Sequence, residues 1–299
     1  MRNVRALLAA VAPGSLVTAL VITALLLLMG LGNVTAEAEN ARCRADDWAQ
    51  AIEHIENGAT DYQGRCMGIS TGGPVPEDLL EDFRAEADLA RREFEEAAGA
   101  LAAGQWKRAA DATASFPLVF FALFMGGVIT GSPMGSAVAA WSLSNGWTRR
   151  AWIRNSLVLA VLATLALYLL ATVAGVVIIQ SFLGGAGIEA GFPMPGIEAL
   201  RPLPGLLYFT MLGALAGLVL GRGELAGMVA VAVTLGDFAL SARYPEFPLL
   251  PTRWHQTALG LDTGAIGPGL AVALAGTMAL LLASLGRWYF LARRDVPDR

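Results

Sequence analysis

Long uncharged segments alternate with short charged ones along most of this chain. Residues 115–145 contain no charged side chain, and neither do residues 155–187. An α-helix needs about 20 mostly apolar residues to cross the hydrocarbon core of a membrane. Six segments meet this requirement, and they are residues 16–32, 116–141, 156–179, 204–221, 225–241 and 266–286. The pattern therefore predicts an all-α polytopic membrane protein with six transmembrane helices.

One long polar stretch interrupts this series between the first and second predicted spans. Residues 33–114 hold 17 acidic and 8 basic side chains, a net charge of −9, whereas the rest of the chain carries +5. Apolar residues recur in it at helical spacing: Trp48, Ile52 and Ile55 in the first half, and Phe83, Ala87, Ala90, Phe94, Ala97 and Leu101 in the second. Narrow stripes of this kind are typical of helices that pack along one face. The stretch predicts a helical hairpin connected by the Gly- and Pro-rich segment 61–76.

The overall composition agrees with a membrane protein interrupted by one soluble insertion. Only 15% of the residues are charged and 55% are hydrophobic, whereas soluble domains carry about 25% charged residues. We expect three parts: an N-terminal interfacial helix with the first span (1–32), an extracytoplasmic helical domain (33–114) and a five-span membrane domain (115–299). Because the insertion is acidic, it does not offer a nucleic-acid surface, and we expect no nucleic-acid partner.

The N-terminal apolar run predicts a retained anchor rather than a cleaved signal peptide. It extends from residue 6 to residue 32, whereas the apolar core of a signal peptide has about 7–15 residues. Pro13-Gly14 breaks the run, which favours a short interfacial helix followed by a span.

Arginine placement in the short loops predicts the orientation in the plasma membrane. With the N-terminus inside, the cytoplasmic arginines are Arg2, Arg5, Arg149, Arg150, Arg154, Arg222, Arg287, Arg293 and Arg294. The short outer loops then hold Arg201, Arg243 and Arg253. Both termini are therefore expected in the cytoplasm, with residues 33–114 outside.

The two cysteines of the chain both lie in the acidic insertion. Cys43 and Cys66 would face the oxidising side of the membrane, where paired cysteines usually form structural disulfides. Their spacing matches neither a redox CxxC motif nor a metal motif. We expect a disulfide between them.

The sequence lacks the common catalytic motifs. The sequence has no Gly-x4-Gly-Lys-Ser/Thr phosphate loop and no Gly-x-Ser-x-Gly elbow, and His54 and His255 lie far apart outside any His-Glu-x-x-His pattern. We therefore expect no enzyme activity, cofactor or metal centre on this chain.

Asp237 is the one candidate acid within a predicted span. It is either an interfacial carboxylate, reached by water or paired with Arg243, or a polar point on a translocation path.

Two further features leave alternatives open. Gly131-x3-Gly135 and Gly213-x3-Gly217 favour close helix packing in lipid, either within the chain or between two copies. Residues 244–255 are apolar and too rich in Pro for a continuous helix. They either dip into the outer membrane face or pack at the interface.

The segment 141–154, WSLSNGWTRRAWIR, combines three Trp and three Arg between two apolar runs. Aromatic rings and cations of this kind favour a membrane surface. The tryptophans would hold the segment at the headgroup level, while Arg149, Arg150 and Arg154 face lipid phosphate or an acidic groove. A plain positive-inside anchor is the simplest interpretation.

This segment, together with the six predicted spans, resembles the membrane subunits of ABC exporters of the type-2 permease superfamily. These subunits carry an ATPase-contacting loop after the second span with a small/apolar–x–Gly–x–x–Arg pattern. Residues 143–152, LSNGWTRRAW, occupy that place, and Trp147-Thr148-Arg149 is similar to its hydrophobic–small–Arg step. The loop departs from the family in lacking the acidic residue that often precedes the Gly, and the resemblance does not cover the insertion.

The resemblance implies a permease subunit powered by a separate ATP-binding subunit. Its implied coupling loop consists of Asn145, Gly146, Trp147, Thr148, Arg149 and Arg150. The implied partners are that ATPase, membrane lipid and a second permease subunit, in a homodimer or a heterodimer.

Two other function classes compete with this interpretation. A non-transport sensor or scaffold would act through its extracytoplasmic hairpin. A secondary transporter would be expected to show inverted repeats, and the sequence shows none.

Overall fold

The computed structural model describes residues 13–58, 61–66, 70–72, 77–135, 142–144, 146–192, 194–244, 247, 249–261 and 266–292. Its helices are α1 (Pro13–Gly32), α2 (Ala36–Glu56), α3 (Glu77–Ala103), α4 (Gln105–Ala114), α5 (Phe116–Gly135), α6 (Arg149–Gly185), α7 (Leu203–Leu220), α8 (Gly223–Arg243), α9 (Pro251–Leu259) and α10 (Pro268–Ala292). A 3-10 turn, Ile197–Leu200, precedes α7. Two short strands, β1 (Asp61–Gln63) and β2 (Ser70–Gly72), pair antiparallel. The predicted helical fold is confirmed.

Five helical segments of the described chain are long and apolar enough to cross a membrane. They are Phe116–Met134, Arg149–Gly185, Ile197–Leu220, Gly223–Arg243 and Pro268–Ala292. The predicted second to sixth spans each fall on one of these segments. Helix α1 contributes the shorter apolar helical stretch Thr23–Gly32. The fold is thus compatible with a multi-pass membrane protein.

The third predicted span is longer than the sequence pattern indicated. Helix α6 begins at Arg149 rather than at residue 156 and continues to Gly185. Arginines in its first turn interrupt the apolar pattern but not the helix, because long cationic side chains extend toward the polar edge of a membrane. The predicted interfacial helix before Pro13 lies outside the described residues.

Glycines bring α5, α7 and α8 into backbone contact. A Cβ atom built on Gly127 would lie 2.8 Å from the backbone N of Gly227, and one on Gly131 would lie 2.9 Å from Cα of Gly223. On α7, Gly213 faces the backbone of Leu123, while Gly217 faces residues 127–131 of α5. Gly213 and Gly217 of α7 therefore serve close helix packing within the chain, which is one of the two alternatives that the sequence left open.

Threonine side chains join the same helices by buried hydrogen bonds. Thr130 Oγ1 donates to the carbonyl oxygens of Gly126 and Ala214, at 2.8 and 2.9 Å. The hydroxyls of Thr164 on α6 and Thr210 on α7 lie 3.1 Å apart. Each of these buried hydroxyls thus has a hydrogen-bond partner.

The membrane-type helices alternate in direction, which gives this bundle two distinct ends. At one end the start of α6 meets the finish of α10, through Trp152 and Phe290. We call this the Arg-rich end, because Arg149, Arg150, Arg154, Arg222 and Arg287 lie there. At the opposite end, α9 contacts the residue before α5, Ala114, through His255. We call this the α9 end; Arg243 and Arg253 belong to it.

A second compact unit comprises residues 31–109 together with 174–194. Within it α2 and α3 pack as the predicted hairpin, and the rings of Trp48 and Phe83 lie 5.2 Å apart. Helix α2 ends at Glu56, and Gly58 follows with φ +82°, which only glycine adopts readily. The predicted connection between the two helices contains the β1–β2 ribbon.

The predicted disulfide between Cys43 and Cys66 is present, with Cα atoms 6.0 Å apart. Beside it, the buried carboxylate of Asp47 accepts hydrogen bonds from the backbone N–H groups of Arg65 and Cys66, at 3.1 and 2.6 Å. These bonds tie the connection to α2 independently of the covalent link.

The second unit also takes in the far end of α6, which the expected 33–114 domain did not include. Gln180 Nε2 donates to Gln105 Oε1 at 2.7 Å and to the carbonyl of Gly191 at 3.1 Å. Trp106 meets Phe192 edge to face at 5.9 Å. Residues 149–173 of α6 thus belong to one compact unit and residues 174–185 to the other.

Candidate functional site

The predicted coupling loop is a tightly turned lead-in to α6. Gly146 has φ +92°, and the N–H of Trp147 donates to the carbonyl of Ser142 at 3.2 Å. The hydroxyl of Thr148 accepts from the N–H of Ala151 at 3.2 Å, which is the bond expected of a helix N-cap. Gly146 therefore permits the turn, and Thr148 caps the start of the helix. Asn145 lies outside the described residues.

Trp152 anchors this segment to two other helices. Its side chain is 0% exposed, and its ring stacks on Phe290 of α10 with centroids 4.8 Å apart and planes 19° apart. Ile153, Leu143 and Leu218 of α7 complete the cluster, against which Trp147 is partly buried. We expected Trp152 at the headgroup level; instead it lies in the interior, because Phe290 offers it an aromatic partner.

Arg149 also points inward. It is 9% exposed, and its Nη1 donates to the carbonyl of Leu291 at 3.5 Å. A cation near the last carbonyls of a helix is favoured by the helix dipole. Arg149 therefore links α6 to the C-terminal end of α10. The sequence had instead predicted that Arg149 faces lipid phosphate or an acidic groove.

Three of the described residues of the predicted coupling loop are exposed. Gly146, Thr148 and Arg150 are exposed, while Trp147 is half-buried. The adjoining Trp147 and Trp152 pack in the cluster described above. The segment is therefore joined to α7 and α10 by a packed cluster, and such packing deforms little.

Asp237 serves as a side-chain cap for another helix. Its Oδ2 accepts a hydrogen bond from the N–H of Thr252 at 2.9 Å, in the first turn of α9, where unpaired amides and the helix dipole favour a carboxylate. Among the ion pairs of the described residues, none joins Asp237 to Arg243. The same side chain lines a recess of about 340 Å³ with Tyr208 and the buried Thr234. A role in a translocation path stays a prediction.

His255 is a buried group that the sequence analysis did not single out. It is 2% exposed, its Nε2 donates to the carbonyl of Ala114 at 2.6 Å, and its ring meets Phe209 edge to face at 5.5 Å. Burial lowers the pKa of His255 from 6.5 to about 4, and the bond to Ala114 opposes this only in part. The imidazole is therefore neutral at physiological pH.

The helix that carries His255 has a recognisable sequence signature. Pro251 stands at its first position and Gly260 follows it with φ +74°, which is the usual Pro-start and Gly-stop arrangement. The proline content of residues 244–255 had suggested the absence of a continuous helix. In the structure, the last of these prolines begins one, and most of its side chains are buried.

The geometry offers no metal site beyond one cluster in the described residues. Ligand atoms of Cys43, Asp47 and Cys66 lie within 4.8 Å of one another. Both thiols are consumed by the disulfide, and the Asp47 carboxylate accepts two backbone hydrogen bonds. The cluster is therefore structural.

Comparison with family models, with curated proteins and with solved structures finds no match for this chain. Its own residues and their geometry carry the inference of function.

Proposed function

We propose that this chain is the membrane-spanning permease subunit of an ATP-driven ABC exporter of the type-2 superfamily. Two such subunits, identical or homologous, would line the translocation path, because six spans enclose little space alone. A separate ATP-binding subunit would supply the energy. The chain itself would carry no catalytic residue or cofactor.

The observation that carries this proposal is the attachment of the coupling loop to α7 and α10. Gly146, Thr148 and Arg150 are exposed, while the neighbouring Trp152 stacks on Phe290 of α10 and packs in one cluster with Leu218 of α7. A soluble motor must move helices that it does not enter, so it needs a surface loop packed rigidly on their ends. A plain membrane anchor has no such requirement.

The proposed topology has six spans, with α1 as the first and both termini in the cytoplasm. The clustering of five arginines at the Arg-rich end supports this orientation through the positive-inside bias. Residues 33–114 would then be extracytoplasmic, in agreement with the Cys43–Cys66 disulfide. The protein would reside in the plasma membrane.

Purification of the native complex tests the proposal. The chain should bring down an ABC-type ATP-binding subunit, and substrate should stimulate ATP hydrolysis by the complex. Arg150→Glu should weaken ATPase association at least tenfold, because it reverses an exposed charge on the coupling loop. Arg243→Glu, an equal charge change at the α9 end, is the matched control and should leave association unchanged.

The same variants and purified complex distinguish the permease proposal from the sensor or scaffold alternative. That alternative predicts that deletion of residues 61–101 abolishes function while Arg150→Glu has no effect. Recovery of the intact chain without any ATPase under conditions that preserve the membrane complex would contradict the permease proposal.

A further inference from the structure

We propose that an open groove between the start of α6 and the last turns of α10 binds the headgroup of an anionic phospholipid. The groove lies at the Arg-rich end and contains Arg150, Arg154 and Arg287. The proposal rests on the membrane placement given above, but not on the presence of an ATPase.

The groove has the size of a small-ligand site. Its volume is about 710 Å³, within the range of about 300–1,000 Å³ usual for such pockets. Arg150 and Arg154 are four residues apart on α6 and so project from one helical face. Arg287 is contributed by α10, so three guanidinium groups from two helices share one concave surface.

Within the described part of the chain, the protein does not neutralise the charges of these arginines. In the residues that the structure describes, no carboxylate pairs with Arg150, Arg154 or Arg287. Elsewhere in this chain, exposed arginines do find acids: Arg44 Nη2 lies 2.9 Å from Glu93, and Arg84 Nη2 lies 2.7 Å from Glu56.

Phosphate oxygens suit the unpaired cluster. Guanidinium groups bind phosphate through two parallel hydrogen bonds, and a phosphodiester carries the charge that three clustered cations attract. The hydroxyls of Thr148 and Ser284 line the same groove and add neutral hydrogen-bonding capacity. The recognised group is therefore an anionic phosphate ester.

The rest of the lining distinguishes a lipid from a free phosphate. Beyond the arginines the groove is bordered by Leu157 and Val158 of α6 and by Leu280 and Ala283 of α10. Val158 is 49% exposed and Leu280 is 71% exposed, on helices long and apolar enough to span a membrane. A ligand with phosphate at one end and acyl chains at the other matches both parts.

An acidic protein segment matches the groove less well. Such a segment would satisfy the arginines, but would leave its own polar backbone against the apolar border formed by Leu157 and Leu280. In hydrocarbon an unsatisfied backbone group costs several kcal/mol. Basic pockets between membrane helices are a known mode of anionic headgroup recognition, so the lipid is the favoured occupant.

A lipid in this position would hold the start of α6 against α10. The Trp152–Phe290 stack and the Arg149–Leu291 bond join the same two helices. The bound headgroup thus adds a third link beside the coupling loop, and a lipid-depleted protein should be less stable.

The test uses the purified full-length chain after delipidation, titrated with phosphatidylglycerol, phosphatidylcholine or inorganic phosphate. Native mass spectrometry reports bound lipid, and thermal unfolding in detergent reports stabilisation. We expect phosphatidylglycerol to bind at least tenfold more tightly than phosphatidylcholine and to raise the unfolding temperature. Millimolar inorganic phosphate should neither stabilise the protein nor displace the lipid.

Arg154→Gln/Arg287→Gln removes two charges from the groove and leaves the proposed coupling loop intact. We expect it to lose the preference for phosphatidylglycerol by at least tenfold. Arg222→Gln/Arg243→Gln makes the same charge change at exposed positions outside the groove and should retain the preference. Arg154→Lys/Arg287→Lys keeps the charge without the planar fork and should show intermediate binding, which guards against misfolding of the Gln variant.

Equal binding of the two lipids, or an unchanged preference in the Arg154→Gln/Arg287→Gln variant, would overturn the proposal. So would displacement of lipid by inorganic phosphate, because the groove would then be a free anion site. Loss of ATPase association in that variant with lipid binding unchanged would reassign the groove to protein docking. Lipid selectivity in a chain that recovers no ATPase would support the groove while contradicting the proposed function.

Discussion

The carboxylate of Asp237 caps a helix that begins 15 residues later, with 2.9 Å between its Oδ2 and the backbone N of Thr252. Loss of a side-chain cap usually costs about 1 kcal/mol. We therefore expect Asp237→Ala to lower the free energy of unfolding by about that amount. Asp237→Asn should cost roughly half as much, since the amide oxygen still accepts the bond but lacks the charge that favours a helix N-terminus. Thermal unfolding in detergent measures both changes.

Transport assays on the same two variants separate capping from a role in the path. If Asp237 acts as a cap alone, Asp237→Asn should transport at the wild-type rate once corrected for the amount of folded protein. A loss of transport in fully folded Asp237→Asn would instead place this carboxylate on the translocation path.

The buried neutral imidazole of His255 predicts a pH dependence of stability. Burial lowers its pKa from 6.5 to about 4, so between these values the unfolded chain binds a proton that the folded chain excludes. Stability should therefore be complete above about pH 6.5 and should decline as the pH falls toward 4. Each pKa unit corresponds to about 1.4 kcal/mol, so the loss should be on the order of 3 kcal/mol. Unfolding temperatures at a series of pH values would measure it.

His255→Gln removes the titrating group while keeping an amide donor for the carbonyl of Ala114. Its stability should depend less steeply on pH between 6.5 and 4 than that of the wild type. The exposed His54→Gln is the matched control. An equally steep profile in His255→Gln would assign the acid sensitivity to other groups.

The sequence predicted those parts of the fold that depend on local composition. Uncharged runs located the second to sixth spans, and periodic apolar residues located the hairpin. Cys43 and Cys66 were paired correctly because no other cysteine was present. Each of these features is decided within a few turns of the chain.

Features that depend on distant partners could not be predicted. Trp152 and Arg149 look like surface anchors until the finish of α10 brings Phe290 and Leu291 beside them. His255 becomes a buried group only because α9 meets Ala114, 141 residues earlier in the chain. The burial of these side chains depends on tertiary contacts with residues that are distant in the sequence.

The tight crossing of α5 and α7 predicts an asymmetric response to alanine substitution. A Cβ atom at Gly217 would lie 2.6 Å from the carbonyl oxygen of Gly127, whereas one at Gly236 on α8 would meet nothing within 4 Å. Gly217→Ala should destabilise the protein by about 1–3 kcal/mol through overpacking. Gly236→Ala should be neutral or stabilising by up to about 1 kcal/mol, since alanine favours helix.

Thermal unfolding and expression level compare the two alanine variants directly. Both make the same chemical change within a membrane-type helix. Equal effects would show that the glycine contacts between α5 and α7 are looser than the structure describes.

The Cys43–Cys66 disulfide should stabilise the second unit. It closes a loop between residues 23 apart, for which chain entropy gives about 3 kcal/mol. Cys43→Ser/Cys66→Ser should therefore increase proteolysis of the α2–α3 hairpin, while the membrane-type helices stay protected. Limited proteolysis with mass spectrometry would locate the cuts. Because the bonds from Arg65 and Cys66 to Asp47 remain, we expect loosening of the connection rather than complete unfolding.

The Trp152–Phe290 stack should contribute to both stability and coupling. Trp152→Ala removes a fully buried indole and should cost about 3–5 kcal/mol. A double-mutant cycle of Trp152→Leu with Phe290→Leu should give an interaction energy of about 0.5–1.5 kcal/mol, the usual value for an aromatic pair. In the proposed complex, Trp152→Leu should retain ATPase association, because Gly146, Thr148 and Arg150 are unchanged. The same variant should reduce the stimulation of ATP hydrolysis by substrate.

Leu159→Ala, which shortens a partly buried residue at the edge of the same cluster, controls for general loss of packing. If Trp152→Leu and Leu159→Ala impair stimulation equally at matched stability, the stack has no specific part in coupling.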